Sequence, residues 1–180
     1  MRGSDAGEGG AMSFEDRLEH ARRVEQDVAA WLMRRNWLVL PVYDYSGQQD
    51  DKAPKLQAAR RRDSLVAPDL LAARGGAHLW FEVKWKAAAT LHRKTDTLET
   101  GLNLRHWRDY VAIKRESGAD VWIVFVHEAE AEIRAAEVSQ LARSARIYDG
   151  AKMGRGGMVF FPYRQIKRLC STRDVLRGAA

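Results

Sequence analysis

The sequence is almost without cysteine. A single one, Cys170, stands among 180 residues, which leaves no room for an intramolecular disulfide framework or a cysteine-ligated zinc site. A reducing, cytoplasmic setting fits that composition. Long apolar runs are also missing. A membrane-spanning helix takes about 20 consecutive apolar residues, and the strongest candidate here, Val121 to Val126, is far shorter and reads as a buried strand. No membrane partner is expected. No secretory apolar region follows the first methionine. There are no internal repeats and no Walker-type phosphate loop, and Gly154 to Gly157 reads as a turn.

What is present is an ordinary globular composition, 46% hydrophobic and 30% charged, with a net charge of +6. The excess is localised. Residues 152–177 hold Lys152, Arg155, Arg164, Lys167, Arg168, Arg173 and Arg177 against one acid, Asp174, a balance of +6. The rest of the chain is therefore neutral overall. Such a segment serves as a solvated basic surface or as a surface for a polyanion.

Residues 1–12 are Gly-rich and aperiodic, and read as a disordered lead or tag. The remainder, 13–180, reads as one domain with a basic C-terminal extension. Residues 13–35 read as a helix, with Ser13 as N-cap and Asp16 at the capping-box distance. Trp37 to Tyr43 reads as a strand, and Ser46 to Arg62 as a long polar loop carrying Lys52, Lys55 and Arg60–Arg61–Arg62. Leu65 to Ala73 and His78 to Lys86 read as strands joined by a Gly75–Gly76 hairpin turn. Residues 87–101 read as a loop. Leu102 to Glu116 reads as a helix and Asp120 to His127 as a strand buried on both faces. A short helix over Ala135 to Arg143, a late strand at Met158 to Phe161 and a helical turn through Ile166 and Leu169 complete the reading. The fold class is α/β: a mixed central sheet flanked by helices, in the order α-β-β-β-α-β.

The hairpin carries the chemistry. Side chains alternate across a strand, so Glu82, Lys84 and Lys86 share one face with Trp80, about 7 Å apart, while Leu79, Phe81, Val83 and Trp85 take the other. Alone, that is also what a solvated strand face looks like. The partner strand changes the balance. It is apolar throughout except for Asp69, whose burial is costly unless it is paired or binds a metal. Pro68 removes a ladder donor beside it, so a bulge or edge is expected there. The hairpin brings Asp69 and Glu82 together, and two close carboxylates call for a cation. Mg²⁺ is held by one or two carboxylates plus substrate phosphate oxygens and water, with Mn²⁺ as its substitute. Lys84 stands where it can orient or deprotonate a water, or neutralise developing charge.

Pro68–Asp69, twelve intervening residues, then Glu82–Val83–Lys84 resembles the motif of the PD-(D/E)XK nuclease superfamily. The α-β-β-β-α-β order resembles its restriction-endonuclease-like core over roughly residues 14–127. The resemblance implies a Mg²⁺-dependent nuclease acting on DNA, with RNA left open. It implies that Asp69 and Glu82 hold the metal with the Val83 carbonyl, that Lys84 is the catalytic lysine, and that Glu25 on the first helix completes the site as a further catalytic and metal residue. Lys86, Arg60, Arg61, Arg93, Arg105 and Arg108 are the candidate nucleic-acid contacts, with His106, His92 and Lys94 near them. The six tryptophans fall at apolar-periodic positions and read as core.

Two other readings compete. One is a catalytically silent nucleic-acid-binding protein on the same fold. The other is a structural hairpin in which Asp69 pairs with Lys84. Substrate shape, endo or exo action, oligomeric state and the role of residues 128–180 are not written in the sequence, although a junction-cutting enzyme would need a homodimer to present two sites.

Overall fold

The computed structural model describes residues 12–42, 54–57, 63–148 and 156–176. The lead at residues 1–11, Arg60, Arg61 and most of the expected long loop lie outside them. The chain begins with α1 (Phe14–Met33), capped as the sequence predicts: Ser13 Oγ accepts the Asp16 N–H at 3.1 Å and Asp16 Oδ2 accepts the Ser13 N–H at 3.2 Å. This satisfies two backbone donors that a helix start leaves open. Next come β1 (Leu38–Pro41), β2 (Lys55–Leu56), β3 (Leu65–Val66), β4 (Leu70–Arg74) and β5 (Ala77–Lys86). After them lie β6 (Thr90–His92), β7 (Thr97–Asn103), α2 (Leu104–Ser117), β8 (Asp120–His127), β9 (Glu132–Glu137), α3 (Val138–Ala142), β10 (Arg146–Tyr148), β11 (Met158–Pro162) and β12 (Lys167–Ser171).

Among the described residues the main sheet has six strands in the order β1-β4-β5-β8-β9-β12. β5 and β8 pair in parallel and the other neighbours antiparallel, so the sheet is mixed as expected. A parallel pair needs a crossover. Here it runs through β6, β7 and α2, with β7 entering a second sheet, β10-β11-β7-β6.

β8 shows why the core has two halves. Val121, Ile123 and Phe125 point to one face and pack with Leu104, Trp107, Tyr110 and Ile113 of α2 and with Val159 and Phe161 of β11. Val124 and Val126 point to the other, with Val24, Val28, Ala29 and Leu32 of α1 and Phe81 and Val83 of β5. The period-2 alternation thus places α1 on one side of the sheet and α2 with the second sheet on the other. The tryptophans pack into these two clusters, as their apolar positions predict. No helix among the described residues is long and apolar enough to cross a membrane.

Four expectations are corrected. The segment 87–101 is not a loop. It forms the β6–β7 hairpin, with Leu91 opposite Leu98 and Asp96 in the left-handed region at φ 49°. Its threonines and the buried Glu99, Thr100 and Gly101 hide the usual apolar alternation. Residues 135–137 are strand, because β9 pairs with the edge of β8 (Val124 opposite Ala135) and helix begins only at Val138. Pairing overrides the helix propensity of alanine there. The turn after β11 is 3-10 over Tyr163–Gln165, and Leu169 belongs to strand β12. Finally, Leu65 to Ala73 is two strands, interrupted at Ala67–Asp69 as Pro68 demands.

Candidate active site

β4 and β5 form an antiparallel hairpin turned by Gly75 (φ 55°) and Gly76 (φ 82°), values only glycine adopts cheaply. Its register sets Leu70 opposite Phe81, so Asp69, just off the end of β4, comes beside Glu82 and Val83. The contact is direct: the Val83 N–H donates to Asp69 Oδ2 at 2.7 Å. Beyond the break at Pro68 the Asp69 carbonyl still accepts the Val42 N–H at 2.9 Å, while its side chain takes a main-chain donor of β5.

Asp69 and Glu82 are both almost fully buried, at 4% and 1% exposure. Glu82 Oε1 forms an ion pair with Lys84 Nζ, two residues on along the same strand face. Lys84 therefore pairs with Glu82, whereas a structural hairpin would have paired it with Asp69. The other oxygen, Glu82 Oε2, is buried with no hydrogen-bond partner. An unpartnered carboxylate oxygen in a dry interior is costly, and such atoms call for an ion or water.

The electrostatics point the same way. Burial, then the Glu82 carboxylate, then that of Glu25 push the Asp69 carboxyl well above the usual range, against the pull of Lys84 and the Val83 N–H. Burial alone would push the Lys84 ammonium down, but Glu82 and Asp69 more than offset it and hold it above an ordinary lysine. Three carboxylates thus act on one ammonium, a set that gains by taking up positive charge.

Glu25 lies half-buried on α1, close enough for its charge to act on both Asp69 and Lys84. Among the described residues no three His, Cys, Asp or Glu side chains close into a metal cage. Two carboxylates and a main-chain carbonyl are nevertheless a donor set that Mg²⁺ accepts, since it keeps several waters. The orphaned Glu82 oxygen and the raised Asp69 carboxyl are the observations that make this set fit a divalent cation.

The flanking candidates divide. Lys86 is half-buried, and burial followed by the Lys84 ammonium pushes its amine down. Arg93, Arg105 and Arg108 are exposed. His106, on α2, is half-buried, and burial and then the Lys84 ammonium push its imidazole down. It stands with the site rather than with the arginines on either side of it.

Two features escaped sequence reasoning. Asp109 Oδ2 accepts the Val66 N–H at 3.2 Å and ties α2 to the segment leading into Pro68–Asp69. His127 lies beside Lys86 across the parallel pair, fully buried, with Nε2 3.0 Å from Thr100 Oγ1 and Nδ1 without a partner. Burial pushes it down to about 4. The signal for His127 was there to be read: it ends an otherwise apolar strand, as Asp69 interrupts one.

The sequence matches no known protein family and no curated protein. Solved structures do share its shape. The Holliday junction resolvase Hjc of Archaeoglobus fulgidus superposes at a TM-score of 0.51 with 14% identity, covering 83% of this chain and 92% of that one. A nuclease from a fusselovirus gives 0.45 with 12% identity, covering 94% of each. At such identities likeness speaks for the fold. The mixed sheet and the resolvase superposition establish a restriction-endonuclease-like fold.

Proposed function

We propose that this protein is a metal-dependent nuclease that hydrolyses phosphodiester bonds in DNA. The observation that carries the reading is the buried Asp69–Glu82 pair with one unpartnered carboxylate oxygen, set beside a lysine kept charged. Asp69, Glu82 and the Val83 carbonyl would hold Mg²⁺ or Mn²⁺, with Glu25 close by. Such an ion polarises a phosphoryl oxygen and lowers the pKa of a bound water.

The protein's own residues do the rest. Glu82 holds the Lys84 ammonium beside it on the same face of β5. Because Lys84 is held protonated, it acts by orienting the attacking water and neutralising charge on the phosphate in the transition state, rather than by removing a proton. The Val83 N–H fixes Asp69 and so spares the site reorganisation as charge develops. Lys86, one strand repeat beyond Lys84, would meet a neighbouring phosphate, and the exposed Arg93, Arg105 and Arg108 would add contacts to the polyanion.

The test is a cleavage panel with Mg²⁺ or Mn²⁺ over single-stranded, duplex, flapped and branched DNA, and over RNA. The branched substrate belongs there because the superposed relative is a junction resolvase. Cutting both strands of a junction calls for two sites, hence a homodimer, which sedimentation would register. A protein that cleaves nothing in this panel is not a nuclease, and retained DNA binding would then mark it as a silent binder on the same fold.

A further inference from the structure

α2 packs on the side of the sheet to which Glu82 and Lys84 point, because their partners in the parallel register, Ile123 and Phe125 of β8, lie under it. Leu104, Trp107, Tyr110 and Ile113 anchor it in the core with Ile123 and Phe125 of β8. Asp109, bonded to the Val66 N–H, pins one flank of the helix to the strand entering Pro68–Asp69. His106 lies three residues before Asp109, hence on that same flank. Its ring tilts against Tyr110, centroids 6.2 Å apart.

Two properties set this histidine apart from an exposed helical residue. The charges of Lys84 and Glu82 act on it more strongly than those of Asp109 and Arg105, its near neighbours on the helix. It is also half-buried, and among the described residues neither ring nitrogen takes part in a hydrogen bond. A neutral imidazole always carries one N–H donor. Here that donor is left over, on the flank of α2 that Asp109 ties to the segment entering Pro68–Asp69.

We propose that His106 is a substrate-contacting residue of this site, with a ring N–H donating to a phosphate oxygen of the strand held over Glu82 and Lys84. The inference rests on the phosphodiesterase reading, and its test separates the two. His106→Ala and His106→Gln are compared with the wild-type chain. The readouts are DNA binding in chelator by fluorescence anisotropy, cleavage with Mg²⁺, and the thermal midpoint. Glutamine keeps a neutral N–H donor of similar reach.

His106→Ala should weaken metal-free binding several-fold and lower kcat/KM by about tenfold to a hundredfold, the scale of one lost hydrogen bond to a charged group. His106→Gln should recover most of both, and neither should move the thermal midpoint. Alanine binding and cleaving like wild type overturns the contact and leaves the nuclease reading standing. Glutamine as damaged as alanine, with a lowered midpoint in both, also overturns it and assigns His106 to packing. A wild type that cleaves nothing, yet loses binding on His106→Ala and regains it with glutamine, sinks the nuclease reading and upholds the contact.

Discussion

The Val83 N–H donates to Asp69 Oδ2 at 2.7 Å, so a backbone donor of one strand holds the acidic side chain that precedes its hairpin partner. The same strand presents Glu82 to that carboxylate, and burial with the Glu82 charge pushes the Asp69 carboxyl up. One contact therefore fixes Asp69 where its own charge is unwelcome.

Asp69→Asn keeps an oxygen for the Val83 N–H and removes the charge. It should raise stability in chelator by on the order of 1–3 kcal/mol, read as a higher thermal midpoint. Mg²⁺ should raise the wild-type midpoint and leave that of the variant unmoved. The sign follows from the raised carboxyl: the folded state binds its proton more tightly than the unfolded one, so wild-type stability in chelator grows as pH falls through the folded value. A lowered midpoint for Asp69→Asn would make this aspartate a structural residue.

Cleavage should be lost in Asp69→Asn, Glu82→Gln and Lys84→Ala, each by about a hundredfold or more. Far-ultraviolet circular dichroism of each variant should match wild type. Retention of most activity by any of the three removes that residue from the catalytic set.

His127 gives a separate pH signature. Burial pushes its imidazole down to about 4 in the folded protein, against about 6.5 for a free histidine. Between those values the unfolded chain holds the extra proton. The contribution of His127 is thus complete above about pH 6.5 and is lost progressively as pH falls toward 4. Urea midpoints from pH 7 to 4 should fall less steeply for His127→Asn than for wild type, and parallel slopes would contradict the buried neutral imidazole.

Gly101 makes room for the second sheet. A Cβ there would meet the Val159 carbonyl oxygen and the Phe160 ring across the β7–β11 pair. Gly101→Ala should cost roughly 1–3 kcal/mol, the scale of forced backbone shifts. An unchanged thermal midpoint would mean that β7 and β11 are not neighbours in this register.

DNA affinity should fall linearly with log salt, and Arg105→Ala should reduce that slope by about 0.9 if the guanidinium meets one phosphate. An unaltered slope places Arg105 off the DNA path.

Where the sequence was legible, one physical cause dominated. The Ser13 cap, the Gly75–Gly76 turn and the apolar strand β8 are local signals with no competitor. Asp69, Glu82 and Lys84 were legible because a lone charge in an apolar strand and a period-2 row of charges make a geometric statement once a hairpin joins them. The β6–β7 hairpin was not, because its buried positions are filled by Glu99, Thr100 and Gly101, polar or side-chain-free groups whose burial depends on partners such as Arg146 and Phe160 that are distant in sequence. β9 was missed because alanine favours helix until a neighbouring strand edge claims it.

The last strand, β12, lies along β9, which in turn covers β8, the parallel partner of the strand bearing Glu82 and Lys84. A fragment ending at His127 would keep every motif residue and lose both outer strands, baring a row of backbone donors and acceptors along an apolar strand. Such an edge invites pairing with other chains. β9 and β12 are therefore the sheet's margin, and the strand beside the motif relies on them to cover its edge before any question of phosphate binding arises.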